Sequence, residues 1–245
     1  AEFILMSKAA QASFHITSAQ ELATLKAQIE EQKQIFNKLH RELQQVVKDD
    51  PQLNKSSLEV EKTYLSFSNI INSLLKDKNT QLVLNKKLKA QLETVELAAE
   101  DANSMVLDII DIDGLEDNHP RAYQAANNLE NNFMSVVTSS TDMLTVKTLN
   151  TLDIIKNEQV YYFEEVVRTV SLIKPAIEQS HSSLFNDLKG YVDTLESNIL
   201  GNDSLSANKK RLIDAISTTE RELAESEKAT KTALSQIDEL VLQAS

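Results

Sequence analysis

Three glycines and three prolines in 245 residues leave this chain almost without the residues that make tight turns. Ordinary usage is about 7% and 5%. A sandwich, barrel or doubly wound sheet reverses direction every ten residues or so and needs Gly and Pro to do it. Hydrophobic residues make up 41% of the chain, enough for a packed core. The class that satisfies both facts is all-α. There are no cysteines, which excludes disulfides, thiolate nucleophiles and cysteine-based metal sites. A net charge of -12 opposes binding to nucleic acid or to an anionic membrane face. No apolar run reaches the ~18 residues that a membrane-spanning helix needs.

The few turn residues punctuate the chain. Asp50-Pro51 reads as an N-cap and first helical position. Gly114–Pro120 is an acidic break, Lys174-Pro175 another, and Gly201-Asn202-Asp203-Ser204 a C-terminal glycine followed by N-cap candidates. Lys76–Thr80, polar throughout, reads as a weaker break. Between these the apolar residues keep a 3,4 spacing. Leu22, Leu25, Ile29, Phe36, Leu39, Leu43 and Val46 form one stripe, interrupted by Gln32. Leu53, Val60, Tyr64, Phe67, Ile71 and Leu74 form a second, with Ser57 as the exception, and Leu88, Leu92, Val95, Ala99, Ala102, Val106 and Ile109 a third. Ile177, Leu184, Leu188, Tyr191 and Leu195 continue the pattern, with His181 in the seam.

This predicts six helices, near 7–48, 52–76, 80–112, 120–173, 176–200 and 204–243. Short connections make neighbours antiparallel. The first and fourth, ~63 Å and ~80 Å long at 1.5 Å per residue, would each serve two stacked four-helix bundles. The membrane-distal bundle would comprise about 25–147, and the proximal one about 7–24 and 148–245. A single elongated bundle with kinked helices is the alternative. Ala1-Glu2-Phe3 reads as a cloning remnant, and residues 1–6 as such a remnant or the end of a membrane segment. The rest, 7–245, reads as one helical domain cut from a longer protein.

In size, helix order and helix lengths, and in polar seam segments such as Gln81-Leu-Val-Leu-Asn-Lys-Lys-Leu88, the chain resembles a known group. It is similar to the helical bimodular sensor domains of bacterial chemoreceptors and to the periplasmic sensor of trimethylamine-N-oxide-type histidine kinases. The resemblance implies an ectodomain in the periplasm, attached to the inner membrane by segments outside this sequence. It also implies a homodimeric receptor that shifts its helices on binding a small molecule or a periplasmic binding protein.

No glycine-rich phosphate loop, His-Glu-x-x-His or nucleophile elbow is present, so no enzyme is expected, and no cofactor or metal. Glu116–His119 and Glu178–His181 share a di-iron spacing but fall at opposite ends of the expected layout. The acidic loop Asp111–Asp117 lacks EF-hand spacing and reads as solvated. The candidate ligand-binding residues are polar side chains on apolar seams, because burying them without partners is costly. Gln32, Asn85, Ser140 and Lys147 are expected to line a cavity in the distal bundle. Thr169 and His181, with Thr219 or Ser226, are expected to meet in the proximal one. Each could instead be a register device within the bundle. Carboxylate-binding members of the resembled group use arginines inside the bundle. Arg41, Arg168 and Arg221 fall on outward faces here, and Arg121 and Arg211 at seam edges. A weaker ligand or a binding protein is therefore expected over an organic acid. A scaffolding bundle that binds other proteins is the alternative function.

Overall fold

A computed structural model describes residues 1–245. Its elements are α1 (Glu2–Ala12), a 3-10 turn (Ser13–His15), α2 (Ala19–Val47), α3 (Pro51–Ile110) and the short α4 (Leu115–Asn118). They continue with α5 (Pro120–Thr145), α6 (Leu149–Ile177), α7 (Ser182–Ile199) and α8 (Leu205–Ala244). There is no strand, as the scarcity of turn residues requires. No helix is long and apolar enough to cross a membrane.

Three of the expected breaks are built as read. The Asp50 carboxylate accepts from the backbone N–H groups of Gln52 and Leu53 at 3.0 and 3.1 Å, with Pro51 behind it at the first helical position. Gly114 and Gly201 take left-handed φ values of 80° and 102°, which only glycine adopts without strain.

Four expectations fail, each for a local reason. The helix predicted over 7–48 is two helices. Ser18 accepts from the N–H of Glu21 at 3.1 Å while the Glu21 carboxylate reaches back to the N–H of Thr17, a capping box that restarts the chain. The helix predicted over 120–173 breaks at Val146, which is extended, and restarts under a Thr148 cap bonded to the N–H of Thr151. The Ser/Thr-rich stretch 138–151 offers competing side-chain bonds to the backbone there. Conversely, the helices predicted to end near 76 and begin at 80 are one helix of 60 residues. A polar turn without Gly or Pro does not stop a helix. Pro175 likewise sits inside the last turn of α6.

The chain forms two compact units, residues 1–83 with 214–245, and residues 84–213. These replace the expected division into 25–147 and 7–24 with 148–245. The helices contributing to both are α3 and α8, not the first and fourth.

In unit 1, α1, α2 and the unit's stretches of α3 and α8 share one core. Phe3 and Met6, from the segment read as a remnant, are fully buried in it. Phe3 meets Phe36 and Tyr64 edge-on at 5.3 and 5.7 Å, and Phe36 stacks on Tyr64 at 3.6 Å. Burial pushes the Tyr64 phenol above its ordinary pKa. The α2 stripe changes phase after Phe36. His40 and Val47 turn inward, His40 to Glu61 at 3.2 Å, which leaves Leu39 and Val46 exposed. The pairs Ser56–Gln243 and Thr63–Gln236, at 2.8 and 2.7 Å, set α3 antiparallel to α8 in register, one residue up for one residue down.

Unit 2 packs α5, α6 and α7 with its stretches of α3 and α8 around Phe133, Leu129, Met143, Phe163 and Ile173. Lys209 is buried and donates to the carbonyl of Leu144 at 2.8 Å, capping the end of α5. Desolvation lowers the pKa of its ammonium.

Candidate functional site

Of the six side chains singled out from the sequence, Ser140 and Thr169 are buried in unit 2. Asn85 and Lys147 are exposed, Lys147 in the break between α5 and α6. Gln32 belongs to unit 1, half-buried on α2, with its carbonyl oxygen shielded and unpartnered. Gln32 thus falls in one unit and Asn85, Ser140 and Lys147 in the other, where only Ser140 of the three is buried. His181 is exposed at the start of α7, its Nδ1 2.9 Å from the Ser180 hydroxyl. It leaves the seam because α6 runs past Pro175 and turns at Glu178–His181. Thr219 and Ser226, its expected neighbours, belong to unit 1.

Ser140 has a role that explains its burial. Its hydroxyl donates to the carbonyl of Val136 at 2.7 Å and accepts from Nε2 of Gln159 at 2.7 Å. Gln159 is fully buried on α6. Its place in the stripe Leu152, Gln159, Phe163, Val166 and Val170 was visible in the sequence and was not singled out. Removing the hydroxyl strands the amide. Ser140→Ala is expected to cost ~1–3 kcal/mol in urea denaturation, because a buried donor loses its acceptor. Ser140→Ala combined with Gln159→Leu should cost less than the two single changes added together.

Thr169 lies beneath an open groove of about 450 Å³ between α5 and α6. Arg121, Gln124, Asn128 and Asn132 recur along α5 at helical spacing and face Glu165, Arg168 and Leu172 of α6. The Thr169 hydroxyl donates to the carbonyl of Glu165 at 2.6 Å and accepts weakly from Asn132 at 3.5 Å. Arg168 donates to the Glu165 carboxylate at 2.6 Å, which holds that carboxyl below its usual range. The groove thus presents a row of amides with an arginine at one end and a neutralised ion pair on the other wall. Such a surface recognises hydrogen-bonding groups without selecting strongly for charge.

A second groove in unit 2, about 440 Å³, lies at the start of α8 and is lined by Lys156, Lys210 and Arg211. Behind its lining residues Asn202 and Arg211 runs a polar network. Asn208 donates to Gln91 at 2.9 Å, Arg211 donates to Asn208 and to the carbonyl of Asn202, and Lys87 bonds Asp203 and lowers its pKa. Nowhere do three or more His, Asp or Glu side chains converge to hold a metal ion.

No family model and no curated protein matches this sequence. Two solved structures do share its fold. One is the TorS sensor domain in its complex with TorT in the presence of TMAO, with a TM-score of 0.71 and 11% identity. That match covers 98% of this chain and 94% of the other. The second is the TorS sensor domain of the V. parahaemolyticus histidine kinase sensor, with a TM-score of 0.69 and 11% identity over 99% and 95%. From end to end, this chain has the fold of those histidine kinase sensor domains.

Proposed function

We propose that the chain is the extracytoplasmic sensing domain of a bacterial transmembrane receptor of the sensor-kinase type. It carries no chemistry of its own and reads its surroundings by docking a periplasmic binding protein. The observation that carries this reading is the end-to-end likeness to sensor domains, one of them captured in complex with TorT. The open groove between α5 and α6 supports a protein partner over a small molecule, because a small ligand is held in a concave site that buries most of its surface. Arginine is also enriched at protein interfaces. The exposed face of α2 carrying Ile35, Leu39 and Val46 supports pairing of two copies in the receptor. Signal leaves through α8, whose displacement on docking biases one of two packings.

The test is capture from periplasmic extract, followed by titration of the purified binding protein against the domain by calorimetry. Arg121→Glu and Arg168→Glu are expected to weaken the complex at least tenfold, about 1.4 kcal/mol. If no binding protein associates, and a thermal-shift screen of amines, amino acids and organic acids finds a ligand, direct sensing replaces this reading. A ligand at 100 times its Kd stabilises by ~2.7 kcal/mol.

A further inference from the structure

The face that α8 buries in unit 1 descends through Thr219, Glu222, Ser226, Thr230, Ala233 and Leu240. Its first four positions are polar. Thr219, Ser226 and Thr230 satisfy their hydroxyls on carbonyls of α8 itself, at 2.8, 2.7 and 2.9 Å. Glu222 has no such outlet. It is 6% exposed, and neither carboxylate oxygen has a donor in reach.

The groups around Glu222 decide what it can do. From α3 the Asp77 carboxyl lines the same groove as Glu222, together with Arg221 and Glu225 of α8 itself, and all three act on its charge. Gln81, one turn along α3, is already committed. Its amide donates to Thr219 at 2.8 Å and its carbonyl accepts from Lys78 at 3.4 Å. On the other two helices, Lys33 of α2 bonds Asn72 and Gln11 of α1 bonds Glu227. Arg221 pairs with Glu225 at 3.9 Å. Two carboxylates facing each other, that of Glu222 shielded from water and that of Asp77 half-buried, repel, and neither can donate. A single proton between them turns the same contact into an O–H···O⁻ hydrogen bond, which is strong where water is excluded.

We propose that Asp77 and Glu222 form a proton-binding site that ties the seating of α8 on α3 to pH. With the proton bound, the carboxyls join the two helices. Once it is lost, they push apart a stretch of α8 whose fully buried positions are polar and whose apolar residues, Leu223 and Ala229, are only partly buried. Burial first, and then the Asp77 carboxyl, push the pKa of Glu222 up to about 8 from an ordinary 4.5. Because the folded-state value is the higher one, the stabilisation is complete below about pH 4.5. It drains away as pH rises and is gone above about pH 8. The proposal does not depend on the docking of a binding protein, since it concerns the domain alone.

The experiment uses the purified chain, melted across about pH 5 to 9, with hydrogen exchange followed over residues 217–230. The wild type should lose melting temperature steadily up to about pH 8, and exchange in that segment, corrected for intrinsic rate, should rise about tenfold or more. Glu222→Gln keeps a donor facing Asp77 without a titrating proton, so its profile should be flat across this window relative to wild type. A Glu222→Gln protein that titrates as the wild type does would overturn the proposal. Carboxyl NMR on the wild type gives a readout that needs no variant. A Glu222 midpoint above about pH 7 supports the site, and one near the ordinary carboxylate range overturns it. Asp77→Asn should move that midpoint down by about one unit or more, and an unmoved midpoint counts against the pair. Finally, millimolar calcium or magnesium at about pH 8.5 should leave the melting temperature unchanged. A rise that Glu222→Gln abolishes would make this a cation site and overturn the proton reading.

Discussion

Replacing Phe67 with alanine is expected to destabilise the protein by ~3–5 kcal/mol, the range for removing a large aromatic side chain from a core. Phe67 is fully buried and tilted 51° against Phe3 at 5.5 Å, in the cluster that also holds Phe36 and Tyr64. The aromatic cluster matters more than usual in unit 1 because α8 contributes so little apolar surface there. With Thr219, Glu222, Ser226 and Thr230 on its buried face, α8 adds only Leu223, Ala229, Ala233, Ile237 and Leu240, and the larger apolar side chains come from α1, α2 and α3. The check is the urea midpoint, with Leu58→Ala as control. Leu58 is 48% exposed on the same helix, and its loss should stay within about 0.5 kcal/mol. A Phe67→Ala protein no weaker than that control would show that the cluster is not the organising core of unit 1.

The second large effect tests the continuity of α3. Asn79 is exposed, so a change there disturbs no packed side chain. Proline at 79 removes an N–H and forces its ring against the carbonyl of Leu75. In a helix interior this costs ~3 kcal/mol or more. Were Lys76–Thr80 a turn between two helices, the same substitution would be nearly neutral or slightly favourable. Asn79→Ala serves as control and should be neutral or mildly stabilising, since Ala is the better helix former. Circular dichroism through a thermal melt separates the outcomes.

That contrast shows where sequence reading stops. Periodicity placed Leu53, Val60, Tyr64, Phe67, Ile71 and Leu74 on one face, and all but the half-buried Leu53 are buried. Their 3,4 spacing is dictated by the helix and has no competing solution. The breaks were harder. Asp50-Pro51, Gly114 and Gly201 carry backbone constraints that no packing can override. Lys76–Thr80 carries only polarity, and a polar turn is as comfortable in a solvated helix as in a loop. The Ser18–Glu21 capping box was legible and outweighed by the apolar stripe that follows it. Choosing the wrong continuous helices then misplaced the bundle boundaries, and with them the heights at which Gln32, Asn85 and Lys147 were expected to meet. Ser140 and Thr169 sat on stripes that survived, and both are buried as expected. Seam position predicts burial of one residue, whereas a pocket needs the register between helices, which one-dimensional spacing does not contain. The alternative phase of α2 after Phe36 is the same problem on a smaller scale. Leu39 and Val46 fit the period as well as His40 and Val47, and only the partner helix chooses.

The chain has no tryptophan and five tyrosines, so its intrinsic ultraviolet emission is tyrosine emission alone. Tyr64, stacked on Phe36, is the one in unit 1, while Tyr123, Tyr161, Tyr162 and Tyr191 all fall within 84–213. The native fluorescence is thus weighted toward unit 2. A single tryptophan introduced at exposed Leu58 would give unit 1 a colour of its own. The response of each unit to a partner or to acid could then be read separately in one cuvette.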